Sequence, residues 1–229
     1  MVSDSARDAK EHGWRQFDEI DAAYRAGSLD LDGWHEAVRA IVEPVYLAAA
    51  TPEGGSGHHG SPQEWQRTRS IVMEAIDGPG TFLDVGCANG LLMDSVHRWG
   101  SARGVAVEPY GVDIGGRIAE VARARYPHWA GRIWTANAAT WFPPRRFDYV
   151  RTATEYVPAD RLRRYLQHLL DHVVAPGGRL IVGKLNELRS DEPVADWARR
   201  AGFPVGGEIR RPANHPDVEH TVFWVDLGR

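Results

Sequence analysis

Seven consecutive residues, Asp84-Val85-Gly86-Cys87-Ala88-Asn89-Gly90, have the types and spacing to hold a ligand. Gly86, Gly90 and the small Ala88 let the backbone come close to a bound molecule. If a helix begins after Gly90, its first unpaired N–H groups face the same place. A carboxylate at Asp84, at the end of a strand, can meet a ligand ammonium directly or through water. The loop as a whole therefore suits a ligand with an amino-acid end and a ribose end. Elsewhere, His58, His59, Glu155 and Tyr156 are side chains able to take or hold a proton. Cys87 is the one cysteine. Helix N-termini lower thiol pKa values, so a redox or nucleophilic thiol is one reading of it.

These side chains need a scaffold, and the hydrophobic pattern supplies one. Residues 81–86 read as a buried strand and 91–99 as a helix. Residues 109–114 end a second strand, followed by a helix over 118–125. Residues 132–137 and 147–152 read as third and fourth strands. A long helix is expected over 159–174, a fifth strand over 178–184 after the Pro176-Gly177-Gly178 turn, and a helix over 193–201. Strand candidates 205–211 and 220–227 have no helix-length segment between them and should form a hairpin. The alternation predicts an α/β fold: a Rossmann-like, seven-stranded, mostly parallel sheet with an antiparallel terminal strand. Ligands of such sheets lie beyond the carboxyl ends of the strands.

Residues 1–61 differ in character and form an expected N-terminal helical extension. One helix is expected over 6–26, with Trp14, Phe17, Ile20 and Tyr24 at helical spacing; a second starts after Asp30, with Pro44 as a kink. The Gly- and His-rich stretch 51–62 reads as a mobile loop. Ser61-Pro62 opens a helix expected to run to Ile76. The division is thus 1–61, extension and lid loop, and 62–229, the ligand-binding domain.

The whole chain has 229 residues, 43% hydrophobic and 25% charged, with net charge −4. This balance gives no general attraction to nucleic acid, so none is expected as a partner. No signal peptide and no uninterrupted apolar run of membrane length is read, so a cytoplasmic protein without a membrane partner is expected, monomeric or a homodimer. The ten histidines are scattered along the chain and no metal site is expected.

The motif at Asp84–Gly90 resembles that of the class I S-adenosylmethionine-dependent methyltransferases, with Ala88 in place of a middle glycine. The resemblance spans about residues 62–229. It implies that S-adenosylmethionine is the cofactor, held by Asp84, Gly86, Cys87, Ala88, Asn89 and Gly90, with the Cys87 side chain a packing residue rather than a reactive thiol. It implies an acid ending strand two that binds the ribose hydroxyls. Glu108 stands 18 residues past Gly90, near the usual separation; Asp113 ends the apolar run and has Ile114 and a helix behind it. Asp113 is favoured and Glu108 stays open. Asn137 and Ala138 correspond to the adenine contacts, with Trp141 as a cover or a core residue. Thr152 and the residues after it border the sulfur. The Gly-x-Gly-x-x-Gly spacing of dinucleotide binding is not met. The resemblance implies transfer of a methyl group to a small-molecule acceptor, as in secondary metabolism. An acceptor pocket is expected from residues 1–61 and 152–158, with a loop histidine facing the acceptor. RNA or protein methylation and non-catalytic cofactor binding are the alternatives.

Overall fold

A computed structural model describes residues 4–188, 192–213 and 217–228. Side chains of residues 1–14, and so that of Trp14, lie outside the described set, as does that of Asn186. The chain opens with helices α1 (Asp4–Arg25) and α2 (Leu31–Ala48). Asp30 caps α2, its side chain accepting from the Gly33 N–H at 2.8 Å. The helix continues through Pro44 to Ala48.

The next helix is α3 (Pro62–Arg69), where Ser61 and Glu64 cap each other reciprocally. This helix stops at Arg69, shorter than the expected run to Ile76; a 3-10 segment, Ser70–Ala75, takes over. Then follow β1 (Gly80–Val85), α4 (Leu91–Ala102), β2 (Val107–Asp113), α5 (Gly116–Arg125), β3 (Ile133–Thr135) and β4 (Phe147–Ala153). The chain ends with α6 (Leu162–His172), β5 (Val174–Leu188), α7 (Val194–Arg200), β6 (Val205–Pro212) and β7 (Val218–Asp226).

Seven strands form one sheet in the order β3-β2-β1-β4-β5-β7-β6. The first five are parallel, and β7 runs antiparallel to both neighbours. The hairpin of the last two strands is as expected, but the antiparallel strand lies one place in from the edge, with β6 outside it. The fifth strand also starts earlier than read from sequence. It begins at Val174, and a bulge between the Phe147–Val174 and Tyr149–Arg179 pairings takes up Pro176-Gly177-Gly178.

Alternation along β1 explains why the sheet is covered on both faces. Leu83 and Val85 join Val150, Leu166, Leu169 and Phe223 in one core. Phe82 packs on the other face with Trp65, Leu92, Val96, Tyr149 and Ile181. Phe82 is fully buried, worth ~2–3 kcal/mol from apolar area alone. The same alternation decides where polar side chains at the strand ends point. No helix of the described residues is long and apolar enough to cross a membrane.

Candidate active site

The loop from β1 to α4 turns by two left-handed glycines, Gly86 (φ 76°) and Gly90 (φ 79°). A Cβ added at Gly86 would meet nothing within 4 Å, so space lies over the loop there. Ala88 has φ 47°, the one described non-glycine residue in the left-handed region. Holding an alanine there costs on the order of 1 kcal/mol. Its N–H donates to Asp113 Oδ2 at 2.8 Å, and the Gly115 N–H donates to Oδ1 at 2.8 Å. The carboxylate ending β2 is thereby fixed against the glycine loop. Burial pushes the Asp113 carboxyl above its ordinary range, and these two N–H groups oppose the shift.

Glu108 lies at the other end of the same strand. It pairs with Arg132 at 2.8 Å, half exposed, and is in register with Thr81 rather than with the loop. Ile114 follows Asp113 and is 36% exposed.

Asp84 is in register with Arg151 of β4, so both side chains share a face. Arg151 donates to Asp84 Oδ1 at 3.2 Å. Burial pushes the Asp84 carboxyl up to about 6, against the pull of Arg151. Thr152 points the opposite way. Its hydroxyl is buried against the Tyr165 hydroxyl at 2.6 Å, leaving only its backbone at the strand end. Cys87 is buried beside Met93 and Gly111, and burial raises its thiol well above the ordinary value. It packs; it is no thiolate nucleophile.

The extension touches the segments that follow β1, β2, β3 and β4. Asn89 donates to the Pro52 carbonyl at 2.7 Å and accepts from Ser56 Oγ at 2.6 Å, so its side chain ties the glycine loop to residues 52–56. On α2, Glu43 Oε1 accepts from the N–H groups of Arg117 and Ile118 at 2.9 and 3.2 Å, capping α5, while Arg39 pairs with Oε2 at 2.8 Å. His35 lies 3.1 Å from Asn137 Nδ2, and Asn137 Oδ1 accepts from the Ala139 N–H at 3.0 Å. Ala138 and Trp141 pack on the core beneath, Trp141 against Trp134. Tyr46 and Tyr156 share a hydrogen bond of 2.8 Å. On α1, Tyr24 accepts from Arg161 Nε at 2.6 Å, and Phe17 meets the Tyr156 ring.

Tyr46 is raised by burial and Tyr156 well above the ordinary range for the same reason, so both phenols stay protonated. Glu155 Oε1 accepts from the Leu185 N–H at 3.3 Å. His58 sits edge-on to Trp65 at 5.7 Å between centroids. Its Nε2 is buried with no hydrogen-bond partner among the described residues. Burial, then Arg69, lowers its pKa, leaving a neutral ring at neutral pH. His59 is exposed. The structure thus brings His58, Glu155 and Tyr156 to one end of the sheet with Asp84 and Asp113. It adds Arg69 and Arg151, to which sequence reading gave no role at the site, and brings Tyr46, one of the aromatic residues of the extension, to the same end.

Among the described residues no group of three or more side chains could hold a metal. His168 and His172 do stand four residues apart on α6, a spacing that the reading of scattered histidines overlooked. Their rings are 5.0 Å apart with Phe142 against both, and His168 Nε2 donates to the Trp141 carbonyl.

Residues 58–215 match a family described as a methyltransferase domain. The fold is shared with 1,6-didemethyltoxoflavin-N1-methyltransferase of Burkholderia thailandensis (TM-score 0.62, 15% identity, 88% of this chain and 92% of that one). It is also shared with the N-methyltransferase NodS of Bradyrhizobium japonicum WM9 bound to S-adenosyl-L-homocysteine (TM-score 0.58, 15% identity, 83% and 98%). The [4+2]-cyclase SpnF has the fold too (TM-score 0.52, 17% identity, 74% and 84%). No curated protein matches by sequence. The family match spans more than half of the chain, over the strands and loops that build the site, and the chain belongs to this methyltransferase-domain family.

Proposed function

We propose that this enzyme transfers a methyl group from S-adenosylmethionine to a small-molecule acceptor enclosed between the sheet and the helical extension. The observation that carries the reading is the glycine loop locked to Asp113, with open space over Gly86. NodS, of the same fold, is bound to S-adenosyl-L-homocysteine, which fits the same cofactor class. When bound, the cofactor supplies a methyl group already activated on a positively charged sulfur. What the chain must do is hold, orient and keep water out.

Asp113 would hold the ribose hydroxyls, since each of its oxygens keeps a lone pair beyond the one given to a backbone N–H. Gly86 and Ala88 allow close approach of the amino-acid portion. Asn137 and Ala138 would border the adenine, with His35 closing that side. Tyr46 and Tyr156, protonated, use one O–H in their mutual hydrogen bond and leave the other to donate to the acceptor. Glu155 is a further acceptor-side residue. His58 is the side chain suited to take a proton from an acceptor, being neutral with an unengaged ring nitrogen. His59 faces solvent and has no role in this reading.

Calorimetric titration with S-adenosylmethionine and S-adenosylhomocysteine tests the proposal. Micromolar binding is expected, lost by at least about tenfold in Asp113→Ala, equivalent to ~1.4 kcal/mol, and unchanged in Glu108→Ala. No binding of either compound to the folded wild type would overturn it. Product S-adenosylhomocysteine with an added acceptor separates an enzyme from a protein that only binds the cofactor.

A further inference from the structure

An amide, unlike a carboxylate, has two different ends, and its neighbours decide which end faces a ligand. Asn137, just past β3, carries such a group. Its backbone carbonyl accepts from the Trp141 N–H at 2.9 Å, which fixes the main chain but not the side chain. Two contacts set the side chain. Oδ1 accepts from the Ala139 N–H at 3.0 Å, so Nδ2 is the end turned to His35, 3.1 Å from its Nδ1. An amide nitrogen only donates, so Nδ1 of His35 accepts and the ring proton sits on Nε2.

The histidine comes from α2 of the extension and is 7% exposed. Burial lowers its pKa and outweighs the opposing pull of Asp32 and of the Leu31 carbonyl, so the ring is neutral, as this bond requires. Other charged side chains of the two helices are engaged. Asp21 of α1 accepts from the Trp34 indole N–H at 2.7 Å, and Arg39 and Glu43 of α2 pair with each other. The segment after β3 brings Asn137, Ala138 and Ala139, none of them titratable.

Each end of the amide keeps one valence: Oδ1 a lone pair beyond the one given to Ala139, Nδ2 a hydrogen beyond the one given to His35. We propose that His35 is a positioning residue for the purine: it holds the Asn137 amide so that one acceptor and one donor face the 6-amino group and the adjacent ring nitrogen of the cofactor's adenine. This rests on the methyltransferase reading above, which puts the adenine beside Asn137. A 6-oxo purine has the reverse pattern, an acceptor at position 6 and an N–H on the adjacent ring nitrogen, and would set like groups against the fixed amide. The preference for the amino purine then depends on both parts of the chain: the segment after β3 supplies the amide and the extension supplies the partner that holds it. A charged His35 carries a proton on Nδ1, opposes the Asn137 NH2 donor to donor and releases the amide. The preference is therefore full where the ring is neutral and weakens as pH falls through the range in which His35 takes up a proton.

The test uses the full chain, wild type, His35→Phe and His35→Asn. S-adenosylhomocysteine and S-inosylhomocysteine, its 6-oxo analogue, are titrated into each at about pH 8 and about pH 5. The ratio of the two affinities is read, because contacts to the ribose and amino-acid ends, with their own titrations, are common to both ligands and cancel. Phenylalanine keeps a ring and has no acceptor; asparagine places Oδ1 as far along the side chain as Nδ1 of histidine. Wild type is expected to prefer S-adenosylhomocysteine at least tenfold at the higher pH, with the ratio falling at least threefold at the lower. In His35→Phe the ratio is expected to fall at least threefold at the higher pH. In His35→Asn it should stay within threefold of wild type there and be the same at both pH values. The proposal fails if the wild-type ratio is below tenfold or does not move with pH. It fails equally if the ratio in His35→Asn falls with pH as in wild type, a comparison that stands even where His35→Phe does not fold. An unchanged ratio in His35→Phe, with only its melting temperature lowered, would make His35 a packing residue and also overturn it. Absence of S-adenosylhomocysteine binding to wild type would instead bring down the underlying methyltransferase reading, a result visible before the 6-oxo analogue is added.

Discussion

At the scale of single residues, side-chain direction along a strand separates Arg151 from Thr152. Neighbours in a strand face opposite ways, and Arg151, in register with Asp84, shares its face. Thr152 is turned to Tyr165. Composition alone puts Thr152 at the end of the fourth strand; only the pairing with β1 tells which of the two shares a face with Asp84. The glycine loop and Asp113 were legible because their residue types are set by backbone geometry. Arg69 and His35 were not, because their approach to the site depends on helices whose docking leaves no local mark. His58 carries the residue-scale prediction. With its pKa held below 6.5, the ring is neutral and able to accept a proton above that range and is charged below it. Turnover should therefore fall as pH drops from neutrality into the acid range, and His58→Asn should lower turnover at least tenfold and abolish that acid limb. A pH–rate profile with an unchanged acid limb in His58→Asn would remove the histidine from proton transfer.

Elements were read well where local chemistry announces them. Ser61, Pro62 and Glu64 mark the start of α3 whatever it packs against. Ends were read less well. Pro44 lies inside α2, which runs on to Ala48 with Glu43 and Tyr46 in its last turns; this end of the helix is held by contacts at Arg117 and Tyr156. The Pro-Gly-Gly segment was read as a turn before a strand, yet pairing with β4 and β7 draws it into β5. Gly178 is essential to that packing. A Cβ there would stand 2.8 Å from the Ala175 and Asp148 carbonyl oxygens and 3.1 Å from that of Phe147. These are backbone atoms with little freedom to move. Gly178→Ala should destabilise the protein by ~1–3 kcal/mol, read as a lower midpoint in urea, with cofactor affinity of the folded protein unchanged. Ser61→Ala should cost ~1 kcal/mol through loss of the cap.

Over the whole molecule, the extension reaches the ends of all four parallel strands nearest the site: Asn89 after β1, Arg117 and Ile118 after β2, Asn137 after β3, Tyr156 and Arg161 after β4. Ligand binding should therefore be felt along residues 31–61. Amide hydrogen exchange in this segment is expected to slow on addition of S-adenosylhomocysteine. Equal exchange with and without the ligand would mean that the extension does not take part in binding. The strand order has a further consequence, for synthesis. β6 has one neighbour, β7, which is made after it and inserts between β6 and β5. While the ribosome is still adding residues 218–226, β5 presents an open edge and β6 has nothing to pair with. Both are templates for pairing with other chains. The nascent protein therefore passes through a stage in which most of its sheet is built and its most exposed edge awaits the last strand. Loss of that strand, by a late stop codon or by proteolysis between β6 and β7, would leave an aggregation-prone chain rather than a slightly shortened enzyme.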